Sequence, residues 1–190
     1  MLKELSNIYL EEGLKALQQN RLTTAQVKFQ NVICINNDNW EAMNLLGLCL
    51  YTFGDFQRAE GLWRKSIYLN SKEENRSYQY LEELKEIEFL SLCDLYNKVL
   101  QYAKQGDFKK SEKLLKGDNF VAYKIIPFIN LKGLCLFKLG KSGEAVSLWK
   151  QSLFMDMENE QALNYIINHS DEKGEKTSFS LLLRKILKIS

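Results

Sequence analysis

The chain has 190 residues, 45 % of them hydrophobic and 26 % charged, with a net charge of +2, which is enough apolar mass for one continuous core beneath an ordinary charged surface. That near-neutral balance excludes a dedicated nucleic-acid binder, whose phosphate contacts demand a concentrated basic patch. One proline, ten glycines and no run of alternating β-branched residues leave little room for linkers or sheets, so an all-α chain is expected.

In chain order, a first helix is predicted from Leu2 to Gln19, with a turn at Asn20-Arg21. A second runs from Thr23 to about Ile35, with Ala25, Phe29, Val32 and Ile33 on one face. Asn36-Asn37-Asp38-Asn39 breaks it, Trp40 to Phe53 forms the third helix, Gly54-Asp55 turns the chain, and Phe56 to Leu69 forms the fourth. The stretch SYQYLEELKEIEFLSLCDLYNKVLQYAKQ has no Gly or Pro and carries Tyr80, Leu84 and Ile87 at helical spacing. It is expected to run as one long or gently bent helix to Gln105, with residues 74–91 as a connector. A short helix from Phe108 to Leu115 follows, then one between Asn119 and Leu139 that Pro127 starts or kinks. After the next helical pair, Glu160 to Ser170 is read as a helix covering the end of the stack, Asp171 to Thr177 as a polar loop, and Ser178 to Ser190 as a short amphipathic helix. Together, 160–190 are taken as a C-terminal cap.

The chain repeats itself. NLLGLCLYTFGDFQRAEGLWRKSIYLN, starting at Asn44, returns 86 residues later as NLKGLCLFKLGKSGEAVSLWKQSLFMD, starting at Asn130. Asn44/Asn130, Gly47/Gly133, Cys49/Cys135, Gly54/Gly140, Ala59/Ala145, Trp63/Trp149 and Ser66/Ser152 recur in register, the signature of a solenoid whose units stack on one another. Within the first half, Gly13 to Gly47 and Ala25 to Ala59 are each 34 residues apart. A small residue is needed where two helices cross closely, and a large aromatic fills the space one turn on.

On these residues the chain resembles the tetratricopeptide repeat family, built from helix-turn-helix units of about 34 residues. Gly47 and Gly133 fit the small first-helix position, Leu46 the leucine before it, Gly54, Gly106 and Gly140 the turn, Ala59 and Ala145 the small second-helix position, and Phe29, Trp63 and Trp149 the large aromatic. The resemblance implies a single domain, a right-handed α-solenoid of antiparallel helix pairs, with repeats at about 6–39, 40–73, 92–118 and 126–159. The third is degenerate, with Val99 in place of the small residue, and the proline that ends each unit in the family is missing.

No chemistry is advertised. His169 is the only histidine, and no phosphate-binding, HExxH or EF-hand spacing occurs. The four cysteines form no CxxC pair, so no zinc knuckle or redox dithiol is suggested, and Cys49 and Cys135 read as small apolar packing residues in a reducing compartment. The acids between Glu73 and Glu88 read as a solvated helix face. No catalytic residue, metal or cofactor is expected. MLKELSNIYLEEGL is not a secretory signal, and no stretch approaches the roughly 20 apolar residues that span a bilayer, so a cytoplasmic location is expected. Asn75-Arg76-Ser77 and Asn168-His169-Ser170 match the glycosylation pattern only by chance.

In the resembled family the first helix of each unit lines a concave groove that binds peptides or helices. Taking the crossing residues as inward, helical geometry selects Leu10, Leu14 and Leu17 in the first unit and Asn44, Leu48 and Tyr51 in the second. It selects Tyr96 and Leu100 in the third and Asn130, Leu134 and Phe137 in the fourth. The two asparagines either hydrogen-bond a ligand backbone or bond a neighbouring helix within the solenoid. The Lys/Asn/Arg clamp for chaperone C-termini is not expected, because Leu10, Leu14 and Leu45 stand at its positions. The expected function is a non-enzymatic protein-interaction module, an adaptor or chaperone-like binder of an unidentified protein or peptide. The alternative is a self-associating scaffold whose groove is filled by a second copy or by its own terminal helix. The segment 178–190, basic beside an apolar stripe, offers a further contact with an anionic membrane surface or a partner, or else caps the last repeat.

Overall fold

In the computed structural model, which describes residues 2–116 and 121–172 with side chains through 168, ten helices follow one another and no strand occurs among the described residues. They are α1 (Leu2–Gln18), α2 (Leu22–Ile35), α3 (Trp40–Thr52), α4 (Phe56–Leu69), α5 (Ser77–Glu83), α6 (Ile87–Lys104), α7 (Phe108–Leu115), α8 (Ile126–Lys138), α9 (Ser142–Met155) and α10 (Glu160–Glu172). Four tight turns join the hairpins α1–α2, α3–α4, α6–α7 and α8–α9, and each places one residue in the left-handed region: Asn20 at φ 54°, Gly54 at 81°, Gly106 at 78° and Gly140 at 80°. Asparagine is the residue that tolerates this conformation best after glycine, so the first turn is built like the other three. The helix after the turn is capped by Asp55 in α4, whose Oδ1 accepts from Arg58 N at 3.2 Å, and by Asp107 in α7, whose Oδ1 accepts from Lys110 N at 3.1 Å.

Within each hairpin the glycine and the aromatic 16 residues on meet at the crossing. A Cβ on Gly13 would lie 2.5 Å from Phe29 Cε1, on Gly47 2.3 Å from Trp63 Nε1, and on Gly133 2.4 Å from Trp149 Nε1. The indole N–H groups then donate to the carbonyls of Asn44 at 3.2 Å and Asn130 at 3.4 Å, so a ring wedged at an apolar crossing still satisfies its one polar atom. In the third hairpin the pair is Val99 and Leu115, both buried; the larger first-helix residue is matched by a smaller partner, which keeps the volume of the crossing filled. The all-α solenoid of tetratricopeptide-like helix pairs is therefore present, with successive helices packed as neighbours along the chain. Cys49 and Cys135 lie in the core, and burial first, then the charge of Asp156, pushes the Cys49 thiol up to about 12.

Two expectations about helices are corrected. Residues 74–105 are not one long helix: α5 ends at Glu83, Glu86 is extended at φ −59° and ψ 137°, and α6 starts afresh. The break lets Tyr80 lie against Trp63, with ring centroids 4.9 Å apart, while Phe89 stacks on Tyr51 at 5.7 Å; one straight helix would carry Phe89 past the hairpin. Ile87, expected on the apolar face, is 79 % exposed. The helix through Pro127 starts at Ile126, preceded by a turn over 121–124, since a proline fits the first turn, where no donor is needed. Residues 119–120 and the Ser178 to Ser190 segment lie outside the described residues. Of the expected cap, Glu160–Glu172 is a helix packed on α9.

The stack does not stay open. The turn before α2 meets the turn after α9: Met157 N donates to Asn20 O at 2.7 Å, Arg21 pairs with Glu158 at 2.8 Å, and Thr23 Oγ1 donates to Asp156 Oδ2 at 2.7 Å. Between the hairpins, Phe56 and Tyr96 both contact Phe128, at 6.2 and 4.3 Å. One core runs from α1 and α2 to α8, and a smaller one lies between α8, α9 and α10.

Candidate interaction surface

The eleven residues selected from the first helices do not make one open trough. Tyr51 is buried; its ring lies against Phe56, Trp63 and Phe89, and its hydroxyl donates to Glu83 Oε1 at 2.5 Å. Burial, and then the hydrogen bond and charge of Glu83, hold that hydroxyl well above the usual tyrosine range. Asn44 Nδ2 donates to Asn75 Oδ1 at 3.2 Å and Asn130 Nδ2 donates to Gln161 Oε1 at 3.1 Å. Asn44 thus bonds the loop ahead of α5 and Asn130 bonds α10, both within the solenoid. Leu10, Leu17, Tyr96 and Leu100 are half-buried against the larger core and Phe137 against the smaller one. Leu48 and Leu134 are half-buried, and Leu14 alone of the set is exposed, at 37 %.

What covers this face is a third helix laid over each duplicated hairpin. Tyr80 of α5 sits 4.9 Å from Trp63, and Tyr165 of α10 sits 4.9 Å from Trp149. Ahead of each covering helix a buried asparagine fixes it. Asn75 Nδ2 donates to Ser66 Oγ at 3.1 Å and to Asn70 O at 3.0 Å, while its Oδ1 accepts from Ser77 N at 3.0 Å. Asn159 Nδ2 donates to Ser152 Oγ at 2.7 Å, and its Oδ1 accepts from Ala162 N at 3.1 Å. A side chain so enclosed is closed to a glycan, whatever the pattern at Asn75-Arg76-Ser77.

An open cavity of about 720 Å³ lies where the two ends of the stack meet. Its apolar wall is Leu17 of α1, Leu22 of α2, Val121, Ile129 of α8, and Phe154 and Met155 of α9; Asn20, Thr52, Ser147 and Gln151 line it as well, with Lys124 and Lys150, and among the described residues no carboxylate does. Leu17 is the one selected residue it contains. Most of the rest lie on the outer face of α9 or in turns, which a rule based on first helices does not sample, and Ile129 of α8 lies one position before the selected Asn130. A signal was present: Phe154 and its repeat equivalent Tyr68 are 74 % and 87 % exposed, and they follow the crossing tryptophan by five residues, on the opposite side of the helix.

No His, Cys, Asp or Glu lines the cavity among the described residues. Among the described residues no group of three or more His, Cys, Asp or Glu is placed to hold a metal ion, and no helix is long and apolar enough to cross a membrane.

Neither a protein-family profile nor a curated protein matches the chain. Among solved structures it is similar to MamA, residues 41 to the end, from Desulfovibrio magneticus RS-1, at 14 % identity and a TM-score of 0.46, over 100 % of this chain and 97 % of that one. At that score the likeness carries no argument, and the helical-hairpin architecture rests on the packing described above.

Proposed function

We propose that the chain is a non-enzymatic protein-interaction module that takes a short apolar, acid-flanked helix or peptide of a partner into the cavity between its first and last hairpins. What supports this reading is the cavity's wall, which among the described residues holds six apolar side chains, four uncharged polar ones and two lysines, with no carboxylate. Apolar anchors at helical spacing fill such a groove, and an acid beside them meets Lys124. Its volume, about 720 Å³, accommodates several side chains. Cytoplasmic residence, an adaptor or chaperone-like role and a contact of 178–190 with a membrane surface belong to the same proposal and are not needed by it. Self-association remains the second reading, and here it means a second copy inserting an apolar segment into the cavity.

Peptide display on the wild-type chain, counter-selected with Phe154→Asp, separates these readings. The proposal predicts enriched sequences with apolar anchors and neighbouring Asp or Glu that bind the variant about tenfold or more weakly. Enriched peptides that bind both chains equally, or no enrichment, overturn it. A concentration-dependent dimer by light scattering that Phe154→Asp dissolves selects the second reading.

A further inference from the structure

The residue before α2 has the backbone of a helix cap without the side chain of one. Arg21 has φ −105° and ψ 67°, close to the self-capping Asp55 at −89° and 68° and Asp107 at −84° and 65°. Its side chain makes no cap hydrogen bond. The first-turn donors of α2 are nevertheless satisfied, by carboxylates more than 130 residues away: Thr23 N donates to Asp156 Oδ1 at 3.3 Å and Thr24 N to Glu158 Oε2 at 2.9 Å. The two threonine hydroxyls donate to the same carboxylates, Thr23 Oγ1 to Asp156 Oδ2 at 2.7 Å and Thr24 Oγ1 to Glu158 Oε1 at 2.8 Å, and Arg21 Nε and Nη2 grip Glu158 Oε1 at 3.1 and 2.8 Å. Asp156 is 1 % exposed, and among the described residues no cation lies against it; its partners are the Thr23 N–H and hydroxyl at the first turn of α2 and the Glu158 N–H.

We infer that Asp156 and Glu158 cap α2 in trans, and that this contact is a latch which assembles the cavity by holding the first hairpin on the last. The inference rests on the cavity reading only for its consequence in binding; the latch itself stands on the capping geometry. The latch joins the turn beside Leu17 and Leu22 to the turn beside Phe154 and Met155, so both sides of the cavity wall are fixed through it. Released, the first hairpin keeps its own crossing and its packing on α3, while the cavity loses the wall that α1 and α2 supply. The molecule then has a closed form able to bind and an open form without the site.

The test uses the full chain and two variants. Asp156→Ala/Glu158→Ala removes the trans cap. Adding Arg21→Asn gives α2 a cap of its own, because an asparagine at this backbone geometry accepts from Thr24 N. Backbone-amide exchange of Thr23 and Thr24 reports the cap, and the radius of gyration from small-angle X-ray scattering reports closure. The fluorescent dye 8-anilinonaphthalene-1-sulfonate, an apolar anion, probes the cavity, with Phe154→Asp as its control. In the double variant the two amides exchange about tenfold faster, the radius of gyration rises, and the dye signal falls to that of the control. The triple variant recovers slow exchange but stays expanded, and it guards the test against a double variant that fails to fold. A native radius of gyration in a folded triple variant overturns the latch, as does unchanged exchange at Thr23 and Thr24 in the double. If the dye never distinguishes wild type from Phe154→Asp while exchange and radius respond as stated, the cavity reading fails and the latch stands.

Discussion

A methyl group added at Gly47 has nowhere to go. It would sit 2.3 Å from Trp63 Nε1, on a ring that is 1 % exposed and tied to the Asn44 carbonyl, so the ring and the hairpin must both move. Helix propensity alone favours alanine by about 1 kcal/mol, but overpacking a filled crossing costs about 1–3 kcal/mol and the indole loses its acceptor as well. Gly47→Ala is therefore expected to lower stability in urea unfolding by about 1–2 kcal/mol net. Gly61 lies exposed in α4, where an added Cβ meets nothing within 4 Å, and Gly61→Ala is expected to raise it by up to about 1 kcal/mol. Equal effects at the two positions would contradict the crossing geometry. This level of the structure was readable in the chain, because close crossing demands a small residue and its aromatic partner at a fixed distance along the sequence. The roles of Asn44 and Asn130 were not: an amide at that place bonds a ligand or a covering helix equally well, and only the positions of Asn75 and Gln161 decide between them.

At the scale of elements, the helix boundaries of the second hairpin follow from the caps Asn39 and Asp55 and the turn glycine Gly54, which act locally. The break at 84–86 does not, since nothing in LEELKEIEF forbids helix; it accompanies the packing of Tyr80 on Trp63 and of Phe89 on Tyr51, neighbouring rings of the same α3–α4 hairpin. Tertiary packing of this kind overrides local propensity. The cap of α2 is likewise invisible in its own sequence, because Arg21 stands where a capping residue would. It has a measurable consequence in acid. Partial burial pushes the Glu158 carboxyl up, but hydrogen bonds from Thr24 and Arg21, with Arg21's charge, outweigh it and hold it below the usual glutamate range. Asp156 is the other acid of this turn, and Arg21 is the cation against Glu158. A carboxylate whose pKa is lowered by folding stabilises the contact in full above its unfolded pKa, and the contribution is lost as pH falls through the lowered, folded value. The Thr24 amide resonance is therefore expected to titrate with a midpoint below the usual glutamate range. A midpoint within or above that range would contradict the trans cap.

Across the whole molecule, the internal duplication predicts stacking but not what the stack does as it turns. Closure depends on the sum of rotations between successive hairpins and on the bend introduced between α5 and α6, and no local pattern in the chain encodes that sum. An open superhelix would present its surface along the first helices, as the resemblance implies, and a closed stack adds a second one. Closure brings the outer face of α9 opposite the end of α1 and creates a cavity from residues that share no repeat position. The same closure accounts for Asp156, a buried acid far in sequence from every group that satisfies it apart from its own turn. The account turns on that closure, and the Asn20–Met157 backbone contact reports it with no side chain involved. In the isotope-labelled full chain, a nuclear Overhauser effect between the Met157 amide proton and the Asn20 backbone protons is predicted, from the 2.7 Å hydrogen bond that joins them. Its absence, with the effects inside each hairpin intact, would mean an open solenoid and would contradict the latch and the cavity together.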